Sequence, residues 1–397
     1  MFSNWFLKSF RILLLPFAIV YWLIISLRNF LYNKNILKSS SFGLPVICVG
    51  NLSIGGTGKS PMVELLVECL KGRFKMATLS RGYKRKTSGY ALANEATTAL
   101  DIGDEPMLFH LKFPHVPVAV GGERLVAIPQ LLHDKPDTEA IILDDAFQHR
   151  AINAGMNILL TDHSNLFTRD FYLPTGDLRD LKSSYKRADI IVVTKCKIDL
   201  SAEEAEKLRN EIRPLPHQQV FFSSIQYGQP YHITRFSLFE LNLKTEVLLV
   251  TGIANPLPLK KLLEEKSHAY YLMAFSDHYI FRIDDLKDIK RRFEKIDAPN
   301  KIILTTEKDA MRLMKFRAEL EELPIYVIAI RHHFLFDGEK KFVGAVVKFI
   351  EGFKYNEKDR AALRNAVLPR GGTGMQAIPG AEYQHGDDQS GPDRTKA

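Results

Sequence analysis

The first 63 residues contain no aspartate and no glutamate, whereas Lys8, Arg11, Arg28, Lys34, Lys38 and Lys59 are all basic. A second stretch, Lys71 to Lys86, again lacks acidic residues and holds seven basic ones. Over the whole chain the formal charge is +8 and the pI about 9.1. An excess placed in this way suits anionic partners: nucleotide, nucleic acid or acidic lipid. A nucleic-acid recognition module is missing, which makes that partner the weakest of the three. No protein partner is implied. Cysteine is scarce. Cys48, Cys69 and Cys196 have no metal-like spacing, and an odd count gives no disulfide framework. Three reduced thiols in a cytosolic domain are the simple reading.

Charge is also missing from Ile12 to Leu27, a mostly apolar run bounded by Arg11 and Arg28 and containing Pro16. The run is shorter than the ~20 residues of a comfortable membrane span. Phe2, Trp5, Phe6, Phe30, Leu31 and Tyr32 extend it with aromatic and apolar material. No small-residue cleavage site follows, so a removed signal peptide is not expected. Residues 1–40 therefore read as a monotopic or partly inserted membrane helix, with a single span and a buried soluble helix as alternatives. The aromatic flanks and missing carboxylates favour anionic lipid headgroups.

What is present is a large apolar fraction, 46%, in 397 residues, enough for two ordinary domains and too much for wholesale disorder. After the anchor, short apolar runs such as Leu44 to Val49, Met76 to Leu79, Ala140 to Leu143 and Ile190 to Thr194 alternate with amphipathic helical stretches. Continuous apolar strands separated by helices predict an α/β fold with a doubly wound, mostly parallel sheet over 41–219. Two prolines between Arg213 and Gln219 suggest a boundary. A smaller α/β unit is expected over 220–355. Beyond it, 356–397 loses periodicity, is rich in Gly, Pro, Gln and Asp, and is expected to be disordered.

The first strand runs into Ser53-Ile54-Gly55-Gly56-Thr57-Gly58-Lys59-Ser60, and a helical pattern begins at Pro61. This is the strand, loop and helix context of a phosphate-binding loop. Its glycines let backbone amides point at phosphate oxygens, and the helix N-terminus adds a favourable dipole. Lys59 is placed to bridge β- and γ-phosphates, and the Ser60 hydroxyl to ligate Mg²⁺. Ser53 stands where the pattern usually has its first glycine. A second Gly371-Gly372-Thr373-Gly374 lacks both lysine and preceding strand, and reads as coincidence.

The apolar strand Ala140 to Leu143 ends in Asp144-Asp145, the arrangement in which a carboxylate holds Mg²⁺. Adjacent carboxylates repel, so a cation beside them is the economical explanation. Asp104 and Glu105 follow Gly103 in a loop before another helical stretch, where Asp104 alone could be a helix cap. After the late strand, Thr194-Lys195-Cys196-Lys197 has lysine where guanine recognition needs aspartate. ATP is therefore the expected nucleotide.

Taken together these motifs resemble the tetraacyldisaccharide 4'-kinases (lipid A 4'-kinases) of Gram-negative bacteria. The likeness runs over most of Leu14 to Phe353. It rests on Val49-Gly50-Asn51-Leu52 through Lys59-Ser60-Pro61, on Leu79-Ser80-Arg81-Gly82-Tyr83, and on Gly103-Asp104-Glu105-Pro106 and Arg124. It continues with Asp144-Asp145-Ala146-Phe147-Gln148-His149, Leu173-Pro174-Thr175-Gly176-Asp177-Leu178-Arg179 and Thr251-Gly252-Ile253-Ala254-Asn255-Pro256. Phe275-Ser276-Asp277-His278 and Thr306-Glu307-Lys308-Asp309-Ala310 complete it. Serine at 53 is shared with the family, whereas Ala146 and Lys84 stand where it usually has glycine.

The resemblance implies transfer of the ATP γ-phosphate to the 4'-hydroxyl of a lipid A disaccharide precursor, with Mg²⁺, at the cytosolic face of the inner membrane. In that scheme residues 53–60 bind nucleotide, while Ser60 and Asp144 hold the metal. Asp104 is the expected base, with His278 orienting or relaying the proton, and Lys59 and Asp145 complete the catalytic set. Glu105 and Gln148 support the acceptor, and Arg81, Arg124 and Arg179 are phosphate-binding candidates, because guanidinium forks match phosphate oxygens. Two rivals have other chemistry: a P-loop GTPase or metal-insertion chaperone, and a nucleotide-binding membrane adaptor.

Overall fold

The computed structural model describes residues 11–253, 256–276 and 279–353. The expected tail and His278 lie outside the described residues. Helix α1 (Leu15–Asn33) precedes strand β1 (Val46–Asn51) and α2 (Lys59–Leu70). Next come β2 (Met76–Ser80), β3 (Tyr90–Leu92), α3 (Asp104–Lys112), β4 (Val118–Gly121), α4 (Arg124–Asp134) and β5 (Ala140–Asp144). They are followed by β6 (Met156–Asp162), β7 (Ile190–Thr194), α5 (Ala202–Ile212) and β8 (Gln219–Tyr227).

These strands form a nine-stranded sheet in the order β14-β8-β7-β6-β1-β5-β2-β4-β3, where β14 is Ile330–Phe334. Only the outermost pairs, β14 with β8 and β3 with β4, are antiparallel. The central strands are buried on both faces, which is why they read as unbroken Val, Ile and Leu runs. Met62, Leu66, Phe109 and Phe342 cover one face, and Ile128, Leu131, Ala205 and Leu208 the other. The doubly wound sheet is thus present as expected. Because β1 lies between β5 and β6, the chain leaves β1 in one direction and later returns to its other side. The crevice beyond its carboxyl end is the switch point where such sheets bind ligands.

A second sheet, β11-β10-β12-β13-β9, is built from β9 (Tyr231–His232), β10 (Glu246–Thr251), β11 (Ala269–Ala274), β12 (Lys301–Thr306) and β13 (Ile325–Ile328). Helices α6 (Leu257–Lys266), α7 (Ile283–Glu294) and α8 (Glu307–Leu313) accompany it. The expected boundary at 219/220 does not match the sheets. β8 joins the large sheet through Val192↔Phe221 and Val193↔Phe222, and β14 returns to pair with it. Helix α9 (Gly338–Gly352) buries Phe342, Val346 and Ile350 in the large core. The small unit thus spans the segment between Gly228 and Ala329, whose backbones hydrogen-bond at the crossing. The apolar run Ile325 to Ile330 is cut at Ala329 because its two halves serve different sheets.

The apolar helix is longer than its charge-free stretch. The span Ile12–Asn33 is long and apolar enough to cross a membrane and is 11% buried. Arg28 and Asn29 extend it because they face protein: Arg28 donates to the Gln148 carbonyl at 3.0 Å, and buried Asn29 to Asp180 at 2.7 Å.

Candidate functional site

Strand β1 delivers the glycine-rich loop to the switch point, and several contacts from different elements shape it. Buried Asn51 donates to Thr57 Oγ1 at 2.9 Å, and the Thr194 hydroxyl at the end of β7 donates to the Thr57 carbonyl at 2.9 Å. Ser53 pairs antiparallel with Leu178, and Ile54 N–H donates to the Asp177 carbonyl. That extended pairing needs no glycine, which accounts for serine at the position. Gly58 caps α2 with φ 87° and ψ 25°, a left-handed conformation that glycine adopts without strain. Lys59 and Ser60 then open α2, so free backbone amides and the positive helix end face the crevice.

Next to the loop, β5 ends in Asp144, and Asp145 follows with φ 52°. Lys59 Nζ lies 3.7 Å from Asp145 Oδ1. Arg179 forks onto Asp145, with Nη1 3.2 Å from Oδ2 and Nη2 on Oδ1, and also reaches Asn51 Oδ1. Burial pushes the Asp145 carboxyl up, but the Arg179 hydrogen bonds and Lys59 outweigh it and hold it below the usual range. Asp144 behaves oppositely. Burial first, then Glu105 and Asp145, raise it to about 7 against the pull of Lys59 and Arg124. Its Oδ1 is buried without a hydrogen-bond partner. A buried carboxylate with an open oxygen, crowded by two others, fits a cation. Among the described residues no group of three His, Cys, Asp or Glu could hold a metal alone. A P-loop enzyme does not need one, because a hydroxyl, one carboxylate, phosphate oxygens and water complete its shell.

The following turn is pressed onto β1: a Cβ on Gly50 would stand 2.5 Å from that of Phe147. Gln148 Nε2 donates to the Asn51 carbonyl at 2.7 Å, which leaves its Oε1 buried and unpartnered. Helix α1 supports this region from outside, with Tyr21 OH 3.0 Å from the Arg179 carbonyl as well as Arg28 on Gln148. Arg124 is buried and donates to the Gly121 and Gly122 carbonyls at 2.8 and 3.1 Å. Burial and neighbouring Arg81 lower its guanidinium to about 10. Arg124 thus shapes the turn before α4, and Arg81 is the exposed member of the pair. Lys84 adopts φ 59°, a left-handed conformation that favours glycine, so lysine there carries strain.

Asp104 is the first residue of α3 rather than part of a loop. Arg312 Nε from α8 reaches its Oδ2 at 2.8 Å, and Lys308 Nζ reaches Glu105 Oε1 at 3.1 Å. Arg312 also contacts fully buried Asp309, which accepts from Gly252 N–H and the Thr251 and Thr306 hydroxyls. Lys59, Asp144, Asp145, Gln148, Arg179 and Glu105 are thus one electrostatic group. Asp104 meets the second sheet's helix, and Arg81 sits beside Arg124. Sequence reasoning missed Asn51, Thr194 and Arg312 as supports of the site. Asn51 stands in a motif that was read for its glycines. Arg312, three residues after Asp309 on one helix face, carried a usable signal. A cavity of about 480 Å³ lies at the opposite ends of β6, β7 and β8 and contains none of these residues.

Known proteins resemble this chain over most of its length. The family described as tetraacyldisaccharide-1-P 4'-kinase (LpxK) matches residues 10–351. A tetraacyldisaccharide 4'-kinase of Flavobacterium johnsoniae is 45% identical over 330 residues, covering 82% of this chain and 95% of that protein. One of Bacteroides thetaiotaomicron is 41% identical over 366 residues, 88% of this chain and 96% of its own length. A crystal structure of LpxK from Aquifex aeolicus in complex with ATP superposes with a TM-score of 0.67 at 29% identity, covering 86% of this chain and 99% of that one. The chain belongs to the tetraacyldisaccharide-1-P 4'-kinase family.

Proposed function

We propose that this chain transfers the γ-phosphate of ATP to the 4'-hydroxyl of a tetraacyldisaccharide 1-phosphate, yielding lipid IVA in lipid A biosynthesis. The observation that carries the reading is Lys59 at the mouth of α2, beside an Asp144–Asp145 pair in which Asp144 keeps one buried oxygen open. Amides of Gly55, Gly56, Gly58, Lys59 and Ser60 cradle the β- and γ-phosphates, and Lys59 meets the charge that shifts during transfer. Ser60 and Asp144 would hold Mg²⁺, which when bound neutralises phosphate charge. Asp104 accepts the proton of the sugar hydroxyl as its oxygen bonds to phosphorus and the bond to the β-phosphate oxygen breaks, releasing ADP. His278 relays or orients that proton. Arg179 holds Asp145, and Arg81 is the exposed cation for an acceptor phosphate.

Helix α1, apolar on nearly all sides and free of carboxylates, supports attachment to anionic lipid at the cytosolic face of the inner membrane. Lys197 in the position of the guanine-reading aspartate counts against the GTPase alternative. The test is incubation with γ-labelled ATP or GTP and the disaccharide 1-phosphate lipid, followed by lipid extraction. Label in the lipid at the 4'-position, from ATP in preference to GTP, is expected. Label released only as inorganic phosphate sinks the proposal.

A further inference from the structure

His332 lies on β14, almost fully buried, directly beneath the phosphate loop. Its Nε2 is 2.8 Å from the Gly58 carbonyl, and its Nδ1 is 3.0 Å from Ser223 Oγ on β8. A carbonyl only accepts, so Nε2 carries the proton. Nδ1 of the neutral ring then accepts from the serine hydroxyl, which fixes that tautomer. Burial keeps the ring neutral by lowering it to about 4. The ring also fills the space beside Gly58, where an added Cβ would stand 2.9 Å from Nε2. The same carbonyl accepts the N–H of Met62 in the first turn of α2. One oxygen is thus held by the helix and by a side chain from outside it.

We propose that His332 is a positioning residue of the phosphate loop. By fixing the Gly58 carbonyl it sets the left-handed turn that aims the amides of Lys59 and Ser60 at the nucleotide. Three physical points support the role. The residue it grips immediately precedes the lysine. Gly58 is free to rotate through conformations that other residues avoid, so its orientation must be imposed by contacts. The grip comes from a strand that continues directly from β13 of the small sheet through Ala329, so the loop is braced by an element tied to the small unit. Asn51 and Thr194 brace Thr57 in the same manner, and His332 extends that bracing to the next residue.

The proposal rests on the ATP-binding reading above, and wild-type protein separates the two. Full-length chain in detergent is titrated with Mg·ATP, and the KM for the lipid acceptor is measured in parallel. His332→Phe keeps an aromatic ring and removes the donor, whereas His332→Gln restores an N–H. His332→Phe is expected to weaken ATP binding about tenfold or more. Its acceptor KM should stay within about twofold, and His332→Gln should recover most of the loss. A histidine that only fills the core would instead lower the melting temperature and leave the ATP affinity of the folded fraction unchanged. That result, or a His332→Gln variant as impaired as His332→Phe, overturns the proposal. If His332→Phe does not fold, Ser223→Ala carries the test. It releases the tautomer, and an unchanged ATP affinity would be the overturning result. Absence of ATP binding by the wild type brings down the functional reading and this inference together.

Discussion

Asp144→Asn separates two consequences of one buried carboxylate. In the folded protein Asp144 is raised to about 7 by burial, Glu105 and Asp145, against about 3.9 in an unfolded chain. The unfolded state therefore gives up this proton first as pH rises. The sign follows: stability is fully present below about pH 4 and is lost as pH climbs through about 7. Three units at ~1.36 kcal/mol each make the loss as much as roughly 4 kcal/mol. Asparagine keeps the shape and removes the titration. Without metal or nucleotide, the melting temperature of the variant should match the wild type near pH 4 and exceed it by several degrees at pH 8. The gap should open between those values, because Glu64, itself raised to about 7 by burial and Glu307, is common to both proteins and cancels. In the same samples lipid phosphorylation should fall by orders of magnitude. Thermal unfolding across that pH range is the assay. A difference that does not change with pH, or a wild type more stable than the variant at pH 8, refutes the argument that Asp144 is held at a cost to the fold.

Lys59→Ala should leave the melting temperature nearly unchanged and lower turnover by about 10²–10³-fold, and near-normal lipid phosphorylation by the folded variant would remove the P-loop mechanism. Removing residues before Leu37 should shift the protein to the soluble fraction in membrane sedimentation. It should also reduce activity about tenfold on detergent-dispersed acceptor, because Tyr21 and Arg28 hold the Arg179 and Gln148 carbonyls. Full activity on dispersed lipid would reduce α1 to an anchor. Arg312→Met should lower kcat at least about tenfold with little change in the KM for ATP, and cost roughly 1–3 kcal/mol in denaturant unfolding because Asp309 loses a buried partner. An unchanged kcat would show that the guanidinium does not position Asp104.

The phosphate loop was legible because its signals are local: an apolar strand, glycines at fixed spacing, and a proline in the first helical turn. Asp144 and Asp145 were legible for the same reason, as carboxylates at a strand end. The membership of β8 and β14 was not. Gln219–Tyr227 looks like the start of a new unit after two prolines, and its pairing with β7 depends on a sheet edge that only the folded chain presents. His332 escaped notice because Ile-Arg-His-His-Phe reads as an ordinary strand segment, and its partner Gly58 is distant in sequence. Arg28 bounded the charge-free run without revealing its partner, because a charge in the sequence does not say whether it meets water or a carbonyl.

Helix α3 ties these pieces together, since neighbouring residues on it serve different cores. Phe109 is buried in the core of the large sheet and Leu108 in that of the small one. At its far end Lys112 bridges Glu64 of α2 and Glu307 of α8, both at 2.5 Å and both largely buried. At its first turn Asp104 is held by Arg312 of the small unit. A helix wedged between two cores cannot shift without disturbing both, because packed interiors resist small displacements. The carboxylate proposed to take the sugar proton therefore keeps its place by packing along the whole helix. The exposed Lys308–Glu105 pair is weakened by salt, while the Lys112 cluster is shielded. Rising ionic strength should thus loosen the rim of the junction before its centre, and the helix that carries Asp104 remains fixed by the part that salt does not reach.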